Sequence, residues 1–546
     1  MINGIPASAG YAIGHAVLKK EPDLKNAGNN LGKEVEKKRF LSSVEKTKQM
    51  LEGITENAGS SGEKDTAAII ESQLAYLGDP DILEPVLEKI EQGKAAQEAI
   101  IEVTSEIADE FDSFEDGYIK ERAADIRDIG ERIAENIAGV KSQDLSNLPE
   151  GTVLVAHELK PSDTAQINKN KVLAFVTETG GRTCHTSIMA RSMGIAAVVG
   201  ANGIIGKIKD GDTLIVDGKK GEVFVNPDEA ALVKYRLKIE DERKRQLMYA
   251  SVKGKHCVNA DGRRINVFAN IGSPAEAQTA LENGAEGIGL FRTEFLFLDK
   301  NVMPSEDEQF EAYKKTAQIM GGRPVIIRTM DIGGDKNAPF LKMPKEENPF
   351  LGFRAIRLCL KNPELFKTQL RAILRASVFG DLRIMFPMIS GMDEFKSAKK
   401  ILHQCMDELR TKGIKFNENI QAGIMIEIPS AAIMADELAK EADFFSIGTN
   451  DLTQYTLAAD RMNQSVSYIY DPMNPAVMEL IRMAICAAHK NGIICGMCGE
   501  LASRPEAVGR LLEFGLDEFS MSSGSIPKAK LTILKMCKDK TNGKAI

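Results

Sequence analysis

No run of eighteen apolar residues occurs in this chain, so nothing in it is built to cross a membrane. Its start, Met1-Ile2-Asn3-Gly4-Ile5-Pro6, lacks the basic and apolar layout of a secretory leader. Cysteine is sparse: eight are scattered through 546 residues, which excludes a disulfide framework. Cys359 and Cys486 lie in apolar contexts and read as buried free thiols of a reducing cytoplasm. An excess of basic residues is also missing. Lys and Arg number 70 against 78 Asp and Glu, a net charge of −8. That balance argues against nucleic acid as the main partner and suits a basic protein partner. Histidine is scarce at six. His15, His157, His256, His403 and His489 have no motif around them, which leaves His185.

What is present is an ordinary globular composition, 43% apolar and 27% charged, in a chain long enough for about three or four domains. Residues 1–20 read as short extended segments with glycine turns. From Leu31 to Ile137 the apolar period becomes helical, with Phe40, Leu41, Val44, Met50, Leu51 and Ile54 at threes, fours and sevens. Further stripes cover 66–77, 81–91, 95–112 and 116–138, with breakers at Gly59–Gly62 and Gly78-Asp79-Pro80. The pattern predicts a bundle of four or five helices. Glu71, Asp79, Asp81 and Glu84 stud it beside Ile70, Leu74 and Leu77, apolar residues expected at the surface. From about 145 the period becomes α/β, with strands expected at 152–156, 172–176, 196–199, 213–216 and 222–225. The bundle is then an insertion between residues 1–20 and this block. A charged helix over 228–250 reads as a linker.

The remaining half carries eight apolar strand candidates: 265–270, 287–291, 325–328, 382–386, 421–426, 444–447, 493–497 and 517–520. Eight βα units over roughly 290 residues is the size of a (β/α)₈ TIM barrel, whose chemistry sits beyond the C-terminal strand ends. The polar residues just past those ends can be read as one ring. Arg292, Arg328 and Arg461 offer forked donors for phosphate or carboxylate oxygens. Glu427 and Asp451 are hard oxygen ligands suited to Mg²⁺, although each could instead cap a helix. Cys498 is a titratable group followed by glycine. Cys495 and Cys498 have the spacing of a metal or redox pair, but residues three apart on a strand face opposite ways.

The run Gly180-Gly181-Arg182-Thr183-Cys184-His185-Thr186-Ser187-Ile188-Met189-Ala190-Arg191 places one histidine between a strand, a glycine turn and a helix. Free backbone N–H groups at a helix start favour anions, and a histidine there can carry a phosphoryl group. Taken alone it could equally be a cap. The full run resembles the phosphohistidine signature of the family that includes Enzyme I of the phosphoenolpyruvate:sugar phosphotransferase system, with Cys184 where Ser is usual and Ala196 where Pro is frequent. The runs GLFRTEFLF, IRTMDIGGDK, NPFLGFRAIR, GIMIEIPSA, FSIGTNDLTQY, DPMNPAV and GMCGE are similar to the same family in order and spacing.

The resemblance implies an α/β multidomain protein: an α/β phosphohistidine domain (1–20 and 145–227), a helical bundle that docks the phosphocarrier HPr (21–144), a helical linker (228–254), and a barrel that binds phosphoenolpyruvate and dimerises (255–546). It implies that His185 is phosphorylated and that Thr164, otherwise readable as a helix cap along with Ser162, bonds to it. Arg292, Arg328, Asn450, Asp451 and Arg461 would contact phosphoenolpyruvate. Glu427 and Asp451 would hold Mg²⁺, or Mn²⁺ in its place, and Cys498 would protonate the enolate to give pyruvate. An ATP-dependent dikinase or synthase of the same superfamily is the rival reading, but the stretch before residue 145 has no Walker-type glycine loop. A non-catalytic homologue is a second rival, and it should have lost ring residues that this chain keeps.

Overall fold

The structure is a computed structural model, and it describes the chain except residues 21–29, 62–72, 114–116, 141–142, 165–166, 183, 260, 299, 334–335, 337, 342, 344 and 542–546. It divides into two compact units, Met1–Lys244 and Arg245–Ile546.

In the first unit, β1 (Ile2–Asn3), β2 (Ile5–Ser8) and β3 (Tyr11–Leu18) enter one sheet with β4 (Thr152–Ala156), β5 (Val172–Thr177), β6 (Ala196–Val199), β7 (Thr213–Asp217) and β8 (Glu222–Val225). The strand order is β1-β8-β7-β3-β4-β5-β6-β2, with β3 to β6 mutually parallel and the flanking pairs antiparallel. Every residue of β4 and β6 is buried, as expected of strands covered on both faces. Between the parallel neighbours β3 and β4 the chain builds helices α1 (Lys33–Ser61), α2 (Pro80–Glu91), α3 (Ala96–Ser113) and α4 (Gly117–Ala138). Phe40, Leu51, Val86, Ile100, Ile129 and Ile133 close their shared core. Two further helices, α5 (Pro161–Thr164) and α6 (His185–Met193), follow β4 and β5.

The charged stretch after β8 is the helix α7 (Glu229–Val252). Near its start, buried Asp217 accepts hydrogen bonds from Tyr235 Oη at 2.9 Å and Lys238 Nζ at 3.1 Å, which fixes that end to the sheet.

The second unit opens with the short β9 (Cys257–Val258), antiparallel to the next strand. Then come β10 (Arg264–Ile271), β11 (Ile288–Arg292), β12 (Val325–Arg328), β13 (Leu382–Phe386), β14 (Ala422–Ile426), β15 (Phe444–Ile447), β16 (Ile494–Met497) and β17 (Glu518–Ser522). Each pairs in parallel with the next, β17 pairs with β10, and the pairing of β10 with β11 closes the ring. The strands are short continuous apolar runs because their outer faces are covered by helices and their inner faces by one another. Among the described residues no helix is long and apolar enough to cross a membrane.

Candidate active site

Beyond the C-terminal ends of the barrel strands lies an open cavity of about 610 Å³. Its lining gathers Arg292 from β11, Arg328 from β12, Glu427 just past β14, Asn450 and Asp451 on the helix after β15, Arg461 in the loop beyond it, and Cys498 just past β16. Arg292 and Arg461 stand exposed at the rim, while Arg328 and Glu427 are buried. The helix that carries Asn450 and Asp451, Thr449–Leu457, starts at the cavity wall, so its free N–H groups add positive potential there.

The buried charges are paired, but not fully. Arg328 donates to Glu294 Oε1 at 2.8 Å and pairs with Asp331 Oδ2 at 3.1 Å. Arg354 donates twice to Asp331 Oδ1, at 3.2 and 2.8 Å. Burial opposes the charge on Arg328, yet Glu294, Asp331 and Glu427 outweigh it and hold its pKa above the usual value. Asp331 is pulled the other way: burial disfavours its charge, and Arg328, Arg354 and Lys336 more than restore it, leaving its pKa low. One nitrogen on each arginine, Nε of Arg328 and Nη1 of Arg354, is buried without a hydrogen-bond partner. Buried donors of this kind normally find an acceptor, and both arginines line the cavity. Two non-glycine residues with left-handed backbone flank the site, Ala355 at φ 50° and Met388 at φ 56°, a strain that clusters at functional positions.

Glu427 is the acid of the set that pairing does not satisfy. Its Oε1 accepts the Met388 backbone N–H at 2.6 Å, while Oε2 is buried without a partner. Burial, with Asp451 and Asp331 nearby, pushes its pKa up to about 8, against the pull of Arg328 and the Met388 N–H. A cation would reverse that balance. Gly448 is required here, because a Cβ would lie 2.9 Å from Glu427 Oε2. Glu427 and Asp451 are therefore the pair that fits a hard divalent ion. Among the described residues no group of three or more His, Cys, Asp or Glu could hold a metal without other ligands. The donor set leaves room for waters and substrate oxygens, as Mg²⁺ prefers.

Cys498 sits on the inner side of β16 among Leu290, Ile326, Met425 and Phe444. Burial pushes its thiol up to about 11, so it is S–H at neutral pH. Cys495 is also buried but belongs to the core outside the barrel, so the two thiols face opposite ways and do not form a pair.

In the first unit, His185 is the first residue of α6. Gly180, at φ 103°, makes the turn before it, and a Cβ there would press on Cys184 Sγ at 2.9 Å. Cys184 is the N-cap but makes no side-chain cap bond. Its Sγ meets Ser187 Oγ at 3.3 Å instead. Thr164 Oγ1 lies 3.3 Å from His185 Nε2. Burial lowers the imidazole pKa to about 4, although buried Asp128 pulls upward, so the ring is neutral at pH 7.

Similarity to known proteins follows the same layout. Residues 3–122 match the family described as PEP-utilising enzyme, N-terminal; residues 148–221 match its mobile domain, and 247–537 its PEP-binding domain. Phosphoenolpyruvate-protein phosphotransferases from Bacillus sp. (strain S) and Geobacillus stearothermophilus are each 48% identical over 98% of this chain and 93% of their own. The protein of that name from Bacillus subtilis (strain 168) is 48% identical over 98% of this chain and 95% of its own. The chain belongs to the phosphoenolpyruvate-protein phosphotransferase family.

In this member of the family, the seven barrel residues singled out from the sequence share one cavity, and His185 and Thr164 meet in the other unit. Sequence reasoning passed over Glu294, Asp331, Lys336 and Arg354, which line the same cavity. Each falls inside a run already quoted, but no periodicity distinguishes it, and Arg354 arrives from a loop after β12. Two expectations need correction. Cys486 is exposed, because it lies off the buried stripe Met478-Ile481-Ile485-Ala488 of its helix. Leu77 is buried and Leu74 partly so, both packed on the bundle core, so they offer no apolar surface. Of the two readings left open for Thr164, a helix N-cap does not fit its place as the last residue of α5. Asp79 caps α2, accepting from Asp81 N at 3.0 Å. Ile70 and Glu71 lie outside the described residues.

Proposed function

We infer that this chain is a phosphoenolpyruvate-protein phosphotransferase that moves the phosphoryl group of phosphoenolpyruvate to its own His185 and then to a histidine of HPr, releasing pyruvate. The observation that carries the reading is the set of buried, unpartnered polar atoms in the barrel cavity, Arg328 Nε, Arg354 Nη1 and Glu427 Oε2. Two donors and one acceptor with no protein partner suit a ligand that brings anionic oxygens together with a cation.

Phosphoenolpyruvate binds with its phosphate and carboxylate among Arg292, Arg328, Asn450, Asp451 and Arg461, with Arg354 and Lys336 as further donors. A Mg²⁺ or Mn²⁺ held by Glu427 and Asp451 would supply charge neutralisation at the phosphate and enolate oxygens. Neutral His185 attacks phosphorus in line. An N–P bond forms, the P–O bond to the enol oxygen breaks, and the electron pair leaves with the enolate. Positioning and fixed charge do most of the work in such a transfer. Cys498 gives its Sγ proton to the enolate carbon, making pyruvate, and its thiolate regains a proton from solvent. A thiol held as S–H up to about pH 11 is a proton store that stays loaded at neutral pH. Thr164 orients the imidazole.

The domain roles follow: α/β phosphohistidine domain (1–20, 145–227), HPr-docking bundle (21–144), linker (228–254), and a barrel (255–546) through which the chain forms a homodimer in the cytoplasm. One histidine serving two partners requires the units to change their arrangement during turnover.

The test is incubation with phosphoenolpyruvate labelled in its phosphate, Mg²⁺ and purified HPr. Acid-labile, base-stable label is expected on both proteins, with none on either when His185→Ala is used. Label entering His185→Ala at the native stoichiometry, or entering the native protein from ATP and not from phosphoenolpyruvate, would overturn the reading.

A further inference from the structure

The contact between Thr164 and His185 depends on where the single turn α5 is held, and a buried carboxylate holds it. Asp163, the neighbour of Thr164, is 7% exposed. Its Oδ2 accepts the Lys160 backbone N–H at 3.0 Å, closing the turn on itself. The same oxygen pairs with Lys19 Nζ at 2.7 Å, just past the end of β3. Its Oδ1 pairs with Arg132 of the bundle helix α4 at 3.6 Å. Arg132 in turn donates from Nε to Asp128 Oδ1 at 3.2 Å, and Gln73 donates to Asp128 Oδ2 at 3.1 Å. Glu131, the residue before Arg132, pairs with Lys160 at the start of the turn.

The histidine side is tied to the same segment. Thr186, next to His185, donates from its hydroxyl to Leu159 O at 3.2 Å. Residues 159–164 are thus gripped by the sheet through Lys19, by the bundle through Arg132 and Glu131, and by the start of α6 through Thr186. Within that grip the free choice left to Thr164 is small, and its Oγ1 is set 3.3 Å from His185 Nε2. A four-residue turn cannot hold such a position through its own backbone, since helix nucleation is unfavourable at that length. Buried ion pairs add little net stability, and in some proteins they serve to fix one geometry, a use that this arrangement fits.

We propose that Asp163 is a positioning residue for phosphoryl transfer, fixing Thr164 against His185 and taking its own place from Lys19 and Arg132. The proposal rests on the phosphotransfer reading above. It does not give Asp163 any contact with the reacting atoms. Its consequence is that the helical bundle, through Arg132, shares in setting the nucleophile.

The experiment is a double-mutant cycle in the full chain. Single-turnover labelling of His185 by phosphoenolpyruvate is timed for the native protein, Asp163→Asn, Thr164→Val and the pair. Asp163→Asn is expected to slow labelling about tenfold, with half-saturation by phosphoenolpyruvate unchanged because that ligand binds in the other unit. Combined with Thr164→Val it should slow labelling no further. In parallel, ¹⁵N chemical shifts of the His185 ring should move in Asp163→Asn toward their values in Thr164→Val. Equal slowing by Asp163→Asn in both backgrounds would mean general loosening of the domain and would overturn the proposal, as would labelling within twofold of native. Should Asp163→Asn fail to fold, Lys19→Gln removes one clamp with the carboxylate in place, and it should show a smaller slowing that again vanishes beside Thr164→Val. Failure of the native chain to label at all would instead strike the phosphotransfer reading itself.

Discussion

In the barrel cavity Arg328, Arg354 and Asp331 keep their charges under burial by pairing, whereas His185 in the first unit loses its charge to burial. Both sites are partly removed from water, and the outcome differs because of their neighbours. A dense set of opposed charges stabilises each ion against desolvation. A histidine with one buried carboxylate in its field and a threonine at hydrogen-bond distance is left neutral. On the proposed reading, one chain prepares an anion receptor and an uncharged nucleophile largely through the number of counter-charges at each site. For the proposed transfer the two are complementary. An imidazolium could not attack phosphorus, and uncharged arginines could not hold phosphate.

The contrast between the two sites is most sensitive to change at Glu427. Glu427→Gln keeps the volume and the Met388 bond but removes the carboxyl group that would ionise to hold a cation. Turnover with phosphoenolpyruvate should fall by more than about 100-fold, in line with the loss of an electrostatic group at a reacting centre. Mn²⁺ binding followed by electron paramagnetic resonance should weaken in step, while the ¹⁵N shifts of His185 stay put. Unchanged Mn²⁺ affinity would remove Glu427 from the cation site.

Cys498→Ala tests the proposed proton donor, with a smaller effect expected. Labelling of His185 in a single turnover should stay within about threefold, while ketonisation of the enol product slows by about 100-fold, the lower part of the range for a positioned acid. Measuring label and pyruvate in the same quenched samples separates the two. If label and pyruvate slow together, the thiol acts before or during transfer.

The smallest effect concerns pH. With the folded-state pKa of His185 near 4 and the ordinary value near 6.5, the ring stays neutral as pH falls through 6.5. The ring nitrogens should therefore titrate near pH 4 by ¹⁵N resonance, and labelling at pH 6 should be within twofold of that at pH 7.5. The same shift makes the unfolded chain the better proton binder between those values, so stability of the first unit declines as pH drops from 6.5 toward 4. Thr164→Val leaves burial in place and should change the shifts more than the pKa. A ring that titrates at its ordinary value would mean that burial does not set its charge.

The barrel was legible because its strands are apolar runs of four to eight residues followed by polar tips, and β12, β13 and β15 coincide with the stretches read from sequence. The α/β block was legible for the same reason, with β4, β6 and β8 also coinciding. The ring of Arg328, Glu427, Asp451 and Cys498 followed from the rule that barrel chemistry lies past strand ends. Arg354 was hidden because a long irregular connection carries it back, and its helix begins with a left-handed Ala355 that no pattern announces. The placement of Asp163 was hidden as well, because Lys19 and Arg132 reach it from 144 and 31 residues away in sequence. Cys486 shows the limit of apolar context as a guide to burial: a helix buries a stripe, and a neighbour of that stripe faces water.

The insertion of the bundle between β3 and β4 has a consequence for synthesis. His15 pairs with Thr152, and Ile2 pairs with Val223. At translation rates of about 5–20 residues per second, β3 waits on the order of ten seconds for its parallel neighbour, and the first strand waits longer still. The bundle, built from contacts close in sequence, can form on the ribosome during that interval. The strands before the bundle are made ahead of it and seated after it, so of this unit they are the ones that most need shielding from other nascent chains.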